Sequence, residues 1–110
     1  MTFKQVAKMI HDIGLPFSYY QFNDNTEQAP PFICYFYSNN SDLIADGTNY
    51  QKIERLTVEL YTDEKDFENE AAVEEALNDA GLVYSRSETY LNSEKMYMTI
   101  YQSDIVITEV

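Results

Sequence analysis

Between Lys52 and Thr62 the chain reads KIERLTVELYT, with Leu56, Val58 and Leu60 on one side and Thr57, Glu59 and Tyr61 on the other. A period of two marks a strand with one face on a core and one face wet. A helix would bring positions 56, 60 and 63 together, and 63 is Asp63. This strand is the expected centre of the sheet. Upstream, Phe3, Val6, Ala7, Ile10 and Ile13 fall at helical spacing, with Lys4, Lys8 and His11 opposite. Thr2 and Gln5 fit a capping box, and Gly14 followed by Pro16 stops the run. The first helix is predicted over Phe3 to Ile13. Phe17 to Phe22 is rich in β-formers, and Asn23 to Gln28 reads as a polar turn. Pro30 and Pro31 suit the entry to a strand. The next strand, Phe32 to Tyr37, is apolar or aromatic on both faces. Such a run is buried on both sides, or buried on one side and turned to a partner on the other.

Ser38 to Asn49 reads as one long loop, with turn signals at Asn39-Asn40 and Asp46-Gly47 and with Leu43 and Ile44 between them. Loops of this length are often functional, so Leu43 and Ile44 mark a candidate partner surface. The other reading is a wide hairpin whose Leu43 and Ile44 fold back onto the core. After the central strand, Ala72, Val73, Ala76, Leu77 and Ala80 form a narrow helical stripe ending at Gly81. Asp63, Glu64, Asp66, Glu68 and Glu70 crowd its start, where the helix dipole favours negative charge. Glu70 and Glu74 sit at a spacing that repels mildly. Leu82 to Tyr90 and Lys95 to Ile107 are predicted strands joined by a polar turn. In the last, Met96, Met98 and Ile100 oppose Tyr97, Thr99, Tyr101 and Ser103. Ile105, Val106 and Ile107 break the alternation, which predicts a bulge near Asp104. The order is α-β-β-β-α-β-β: an α+β domain over residues 1–110, with a mainly antiparallel sheet and both helices on one face. The other face is expected to carry many of the ten tyrosines.

Charge changes the functional picture. Seven Lys and Arg against nineteen Asp and Glu give a formal charge of −12. Nucleic-acid affinity comes largely from Lys and Arg displacing counterions, so specific nucleic-acid binding is not expected. Anionic membranes are disfavoured for the same reason. Met1 leads into a polar helix start, so no signal peptide is expected, and no apolar run approaches a membrane span. Cys34 is the only cysteine, which rules out an internal disulfide.

Candidate chemistry is sparse. His11 is the only histidine and lies on a polar helix face, Cys34 sits in an apolar strand, and the acidic run lacks the glycine and spacing of a calcium loop. No catalytic residue, cofactor site or metal site is assigned, and the chain is not expected to be an enzyme. Tyrosine is enriched at protein interfaces, where it buries a rigid face and keeps a polar tip. Leu43, Ile44, Asp46, Tyr50, Tyr61, Tyr97 and Tyr101 are therefore the candidate interface.

Four stretches carry a resemblance. They are the opening helix closing in Gly14-Leu15-Pro16; Pro31-Phe32-Ile33 with Tyr35 after a polar turn; Asp46-Gly47 before Tyr50-Gln51-Lys52; and Val58 to Asp63 before an acidic helix. Ser93-Glu94-Lys95, opening the last strand, adds to them. In order and spacing the chain resembles a family of small proteins from prophages and long-tailed phages of Gram-positive bacteria, the tail completion or minor capsid proteins. That family is similar to tail terminator and tail-to-head joining proteins. The resemblance implies a structural subunit without cofactor that forms a ring, typically a hexamer in the virion, and that can be monomeric in isolation. Its implied partners are copies of itself, the tail tube protein and the head connector protein. Its implied place is the head-proximal end of the virion tail, after a stay in the host cytoplasm. Acidity alone would also suit a prophage-encoded inhibitor or DNA mimic that binds a basic host protein. A small carboxylate hydrolase is a third reading.

Overall fold

The computed structural model describes residues 1–21, 28–40, 43–45 and 48–108. The elements in order are α1 (Phe3–Asp12), β1 (Phe17–Tyr19), β2 (Phe32–Asn40), β3 (Leu43–Ala45), β4 (Thr48–Thr62), α2 (Phe67–Asp79), β5 (Ser85–Leu91) and β6 (Met96–Ile107). Six strands form one sheet in the order β1-β2-β4-β6-β5, with β3 also on β4. The predicted α+β architecture holds, with β4 central as its alternation requires, and β3 is a short addition to the expected order. The sheet is mixed: β1 lies parallel to β2, and the other described pairs are antiparallel.

Both helices begin and end as their sequences dictate. Gln5 N–H donates to Thr2 Oγ1 at 3.0 Å and Thr2 N–H to Gln5 Oε1 at 2.9 Å, which completes the capping box. Asp66 caps α2 by accepting from Asn69 N–H at 3.0 Å. At the other end, Gly81 takes φ 74°, its N–H donates to Asn78 O, and Leu82 N–H reaches back to Leu77 O. That paired closure needs the left-handed residue that glycine supplies without strain.

The core lies between the helices and one sheet face. Val6 and Ile10 of α1 and Val73 and Leu77 of α2 cluster with Ile33 and Tyr35 (β2), Leu56, Val58 and Leu60 (β4), and Tyr101, Ile105 and Ile107 (β6). The register explains this set. Leu60 pairs with Ile33 and Thr99, and Val58 with Tyr35 and Tyr101. Cross-strand partners share a face, so Leu60 and Val58 carry these partners inward with them.

Three expectations are corrected here. The β4–β6 register runs from Lys52↔Ile107 to Thr62↔Tyr97 without a shift, so there is no bulge at Asp104. Ile105 and Ile107 are buried and Val106 between them is exposed, so the alternation never breaks. The tyrosines do not gather on the face away from the helices. Tyr35, Tyr37 and Tyr101 share the register of Leu56 and Val58 and point into the helical layer. The stretch read as a long loop is mostly strand. Asn39 and Asn40 close β2 at a register shift instead of turning the chain. Asn40↔Glu54 and Leu43↔Gln51 keep one offset, so β3 continues the β2 ladder along the same side of β4. This is the wide-hairpin arrangement of the backbone. Asp46-Gly47, Phe22 and all but the last residue of the Asn23–Gln28 turn lie outside the described residues.

Candidate interaction surface

The sheet face turned away from the helices has no second layer among the described residues. The residues that alternate with the core set build it: Phe32, Cys34 and Phe36 on β2, Thr57, Glu59 and Tyr61 on β4, and Met98, Ile100 and Gln102 on β6. The surface is largely apolar. Phe32 stacks on Tyr61 with ring centroids 4.7 Å apart, and Tyr20 leans on Phe36 at 5.2 Å. A cavity of about 300 Å³ opens there beside Phe32, Cys34, Tyr61, Leu91 and Met96. Cys34 itself is buried, where a thiol packs and does little else. Towards one end the face turns polar. Ser38 and Thr57 hydroxyls meet at 3.0 Å, and Arg55 donates to Asp104 at 3.0 Å.

Glu59 sits in the middle of this face. Its cross-strand partners are Cys34 and Ile100. Tyr61 Oη donates to its Oε1 at 2.9 Å. Burial pushes the Glu59 carboxyl above its usual range, and the Tyr61 bond only partly offsets that. A raised carboxyl pKa means that the charged form is less favourable in the folded state than in the unfolded chain. Its contribution to stability is therefore present at acid pH and lost as pH rises through the shifted value. Glu59→Gln, which keeps the acceptor for Tyr61, is expected to stabilise the fold modestly at neutral pH. Urea midpoints taken from neutral to acid pH check this: the gain should vanish once Glu59 is protonated in the parent.

The opposite side holds a second concentration of groups, at the junction of α2 and β5. Glu70 is only 4% exposed, yet it carries a carboxylate. Arg86 donates to its Oε1, and Lys65 approaches its Oε2 at 2.7 Å. Arg86 also reaches Glu74 at 3.6 Å, Lys65 reaches Glu88, and Tyr101 Oη donates to Glu74 at 2.8 Å. Arg86 bridges the two carboxylates and so offsets the repulsion expected between Glu70 and Glu74. Burial first, then Glu74, pushes the Tyr101 hydroxyl well above the tyrosine range, and Arg86 offsets this only in part. Its partners lie within the protein, which is the pattern of a structural pin.

The sequence-predicted interface residues scatter. Tyr61 lies on the open face. Tyr97 lies on the helical side against Tyr90, with ring centroids 5.0 Å apart, and Phe67, the first residue of α2, stands 72% exposed. Tyr101 is 1% exposed and belongs to the core, so it offers no surface. Leu43, Ile44 and Tyr50 are brought into one hairpin through the backbone of β3 and β4. Asp46 lies outside the described residues. Sequence reasoning missed Phe32, Phe36, Glu59, Met98 and Ile100 as one surface. The signal was present: Met98 and Ile100 oppose Tyr101, so a core Tyr101 sends them outward.

Other groups find structural employment. His11 stays on the solvated face of α1, 3.3 Å from Asp12, whose carboxyl Lys8 and then His11 hold below its usual range. Asp12, Glu75 and Asp79 rim an open trench of about 390 Å³ between the helices, floored by Met9, Ile13, Ala72 and Ala76. Among the described residues no group of three or more His, Cys, Asp or Glu is placed to hold a metal ion, and no helix is long and apolar enough to cross a membrane.

Two helices on one face of a mixed sheet, with a largely apolar second face that carries Glu59 near its middle, define a two-layer α+β domain with a broad surface suited to contact. No protein-family model matches the chain, and no curated protein matches it in sequence. Among solved structures the fold is similar to a chain in the virion of a native gene transfer agent particle. The TM-score is 0.60 at 12% identity, over 94% of this chain and 88% of that one. At that identity the likeness is one of fold.

Proposed function

We propose that this chain is a structural subunit of a phage-like virion that works by fitting against neighbouring subunits. The observation that carries the reading is the fold shared, over nearly the whole length of both chains, with a chain of a gene transfer agent virion. Within that class we infer a tail terminator or tail-to-head joining role, in keeping with the order of the Gly14-Leu15-Pro16, Asp46-Gly47 and Val58 to Asp63 stretches. Such a subunit caps the tail tube, docks to the head connector and sits at the head-proximal end of the tail.

A head-to-tail ring needs two different patches on each copy. The exposed Phe67 and the Tyr90–Tyr97 pair on the helical side are candidates for one, and the β3–β4 hairpin with Leu43, Ile44 and Tyr50 for the other, which leaves the open sheet face with Tyr61 to another virion component. A charge of −12 suits a ring that DNA must cross, since few Lys or Arg are available to hold the phosphates.

Native mass spectrometry over a concentration series, alone and with tail tube protein, tests the reading. The expected result is a closed oligomer, with tube protein lowering the concentration at which it forms. A chain that stays monomeric at every concentration and ignores both tube and connector proteins would overturn it.

A further inference from the structure

We propose that the open sheet face docks a segment of another virion component that is apolar except for one Lys or Arg, placed to meet Glu59. The inference rests on the virion reading only for where the partner comes from; the chemistry of the partner follows from the face itself.

The face offers Phe32, Phe36, Tyr61, Met98 and Ile100 around Glu59. Any partner that covers the aromatic and aliphatic side chains also takes water away from the Glu59 carboxylate. An unpaired buried charge opposes association strongly, whereas the same charge paired with a cation favours it. The chain's own cations do not fill this role. Lys8, Lys52, Arg55, Lys65 and Arg86 each already face a carboxylate, of Asp12, Glu54, Asp104, Glu70 and Glu70 respectively. Lys4 lies on α1, in the layer behind the sheet, and Lys95 stands in the turn before β6, away from Ile100, the β6 partner of Glu59. Among the described residues the donor recorded at Glu59 is the neutral Tyr61 hydroxyl. A second copy docking through the same face would set one Glu59 against another, which like-charge repulsion disfavours. The complementary chemistry is therefore an apolar strand or helix face with a single central cation. The arrangement is selective as well as adhesive. A wholly apolar segment leaves Glu59 buried and unpaired, and a strongly basic one has too little apolar surface to cover the rings.

The test uses synthetic peptides of alternating Val and Thr that differ only at the central residue: Lys, norleucine or Glu. Each is titrated into protein carrying labelled methionine and isoleucine methyl groups at neutral pH and moderate salt. The Lys peptide is expected to shift the Met98 and Ile100 methyl signals and to bind roughly tenfold more tightly than the norleucine peptide. In Glu59→Gln that preference is expected to vanish while the norleucine peptide gains. A Glu68→Gln control, changing one of the exposed carboxylates of α2, should leave the preference intact. Equal binding of the Lys and norleucine peptides to the parent would overturn the pairing at Glu59. A Lys preference that persists in Glu59→Gln would also overturn it, by assigning the attraction to overall charge. If no peptide moves Met98 or Ile100, the docking face itself is wrong, even where native mass spectrometry still finds assembly with tube or connector protein. Conversely, a Lys-peptide response at Met98 in a protein that never joins either would spare this inference and sink the virion reading.

Discussion

Leu60→Ala will lower the stability of this domain by about 3 kcal/mol, while Val106→Ala will change it by less than about 0.5 kcal/mol. Leu60 is fully buried on the central strand and is held in register between Ile33 and Thr99. Its truncation removes apolar contact and leaves a void that a close-packed interior cannot wholly fill. Val106 lies on the opposite sheet face, is 40% exposed, and has little contact to lose. For a domain of this size the first change should move Tm by more than roughly 10 °C. Chemical denaturation with an unchanged slope gives the free-energy difference directly. Equal losses at the two positions would mean that the helices cover the wrong face.

The second large effect is expected at Arg86. Arg86→Met should cost about 2–3 kcal/mol, because it leaves the Glu70 carboxylate inside the protein with Lys65 alone and strips Glu74 of a cation. The cost stays below that of a fully buried pair because the Arg86 side chain is itself partly exposed. Replacing both partners, Glu70→Met with Arg86→Met, should recover most of the loss, since two well-packed apolar chains leave no charge stranded. Urea denaturation of the parent, both single variants and the double variant gives the coupling. If the double variant is as unstable as Arg86→Met alone, the cluster holds the fold by packing and not by charge pairing.

How much of this was legible in the sequence depended on whether the deciding interaction was local. The capping box at Thr2 and Gln5, the Gly81 stop and the alternation through Leu56, Val58 and Leu60 each rest on near neighbours, and each reads correctly. Many of the tyrosines were expected on the open face, whereas Tyr35, Tyr37 and Tyr101 turn inward. Which parity of β2 and β6 points inward depends on their register with Val58, a relation between distant segments. The inward turn of Glu70 is similarly hidden, because its cations come from Lys65 and from Arg86 on another strand. The parallel β1–β2 pair gave no local signal either. The candidate surface suffered most. Its residues belong to three strands, and composition drew attention to tyrosine when the apolar groups of that face, all half-buried, were chiefly Phe32, Phe36, Met98 and Ile100.

The length of β4 has a mechanical consequence. Its fifteen residues, at roughly 3.3 Å each, match the 49 Å long axis of the molecule. It is flanked on one side by β2 continued by β3 and on the other by β6. Tension applied along that axis would load both ladders in shear, so many backbone bonds would have to yield together instead of parting one after another.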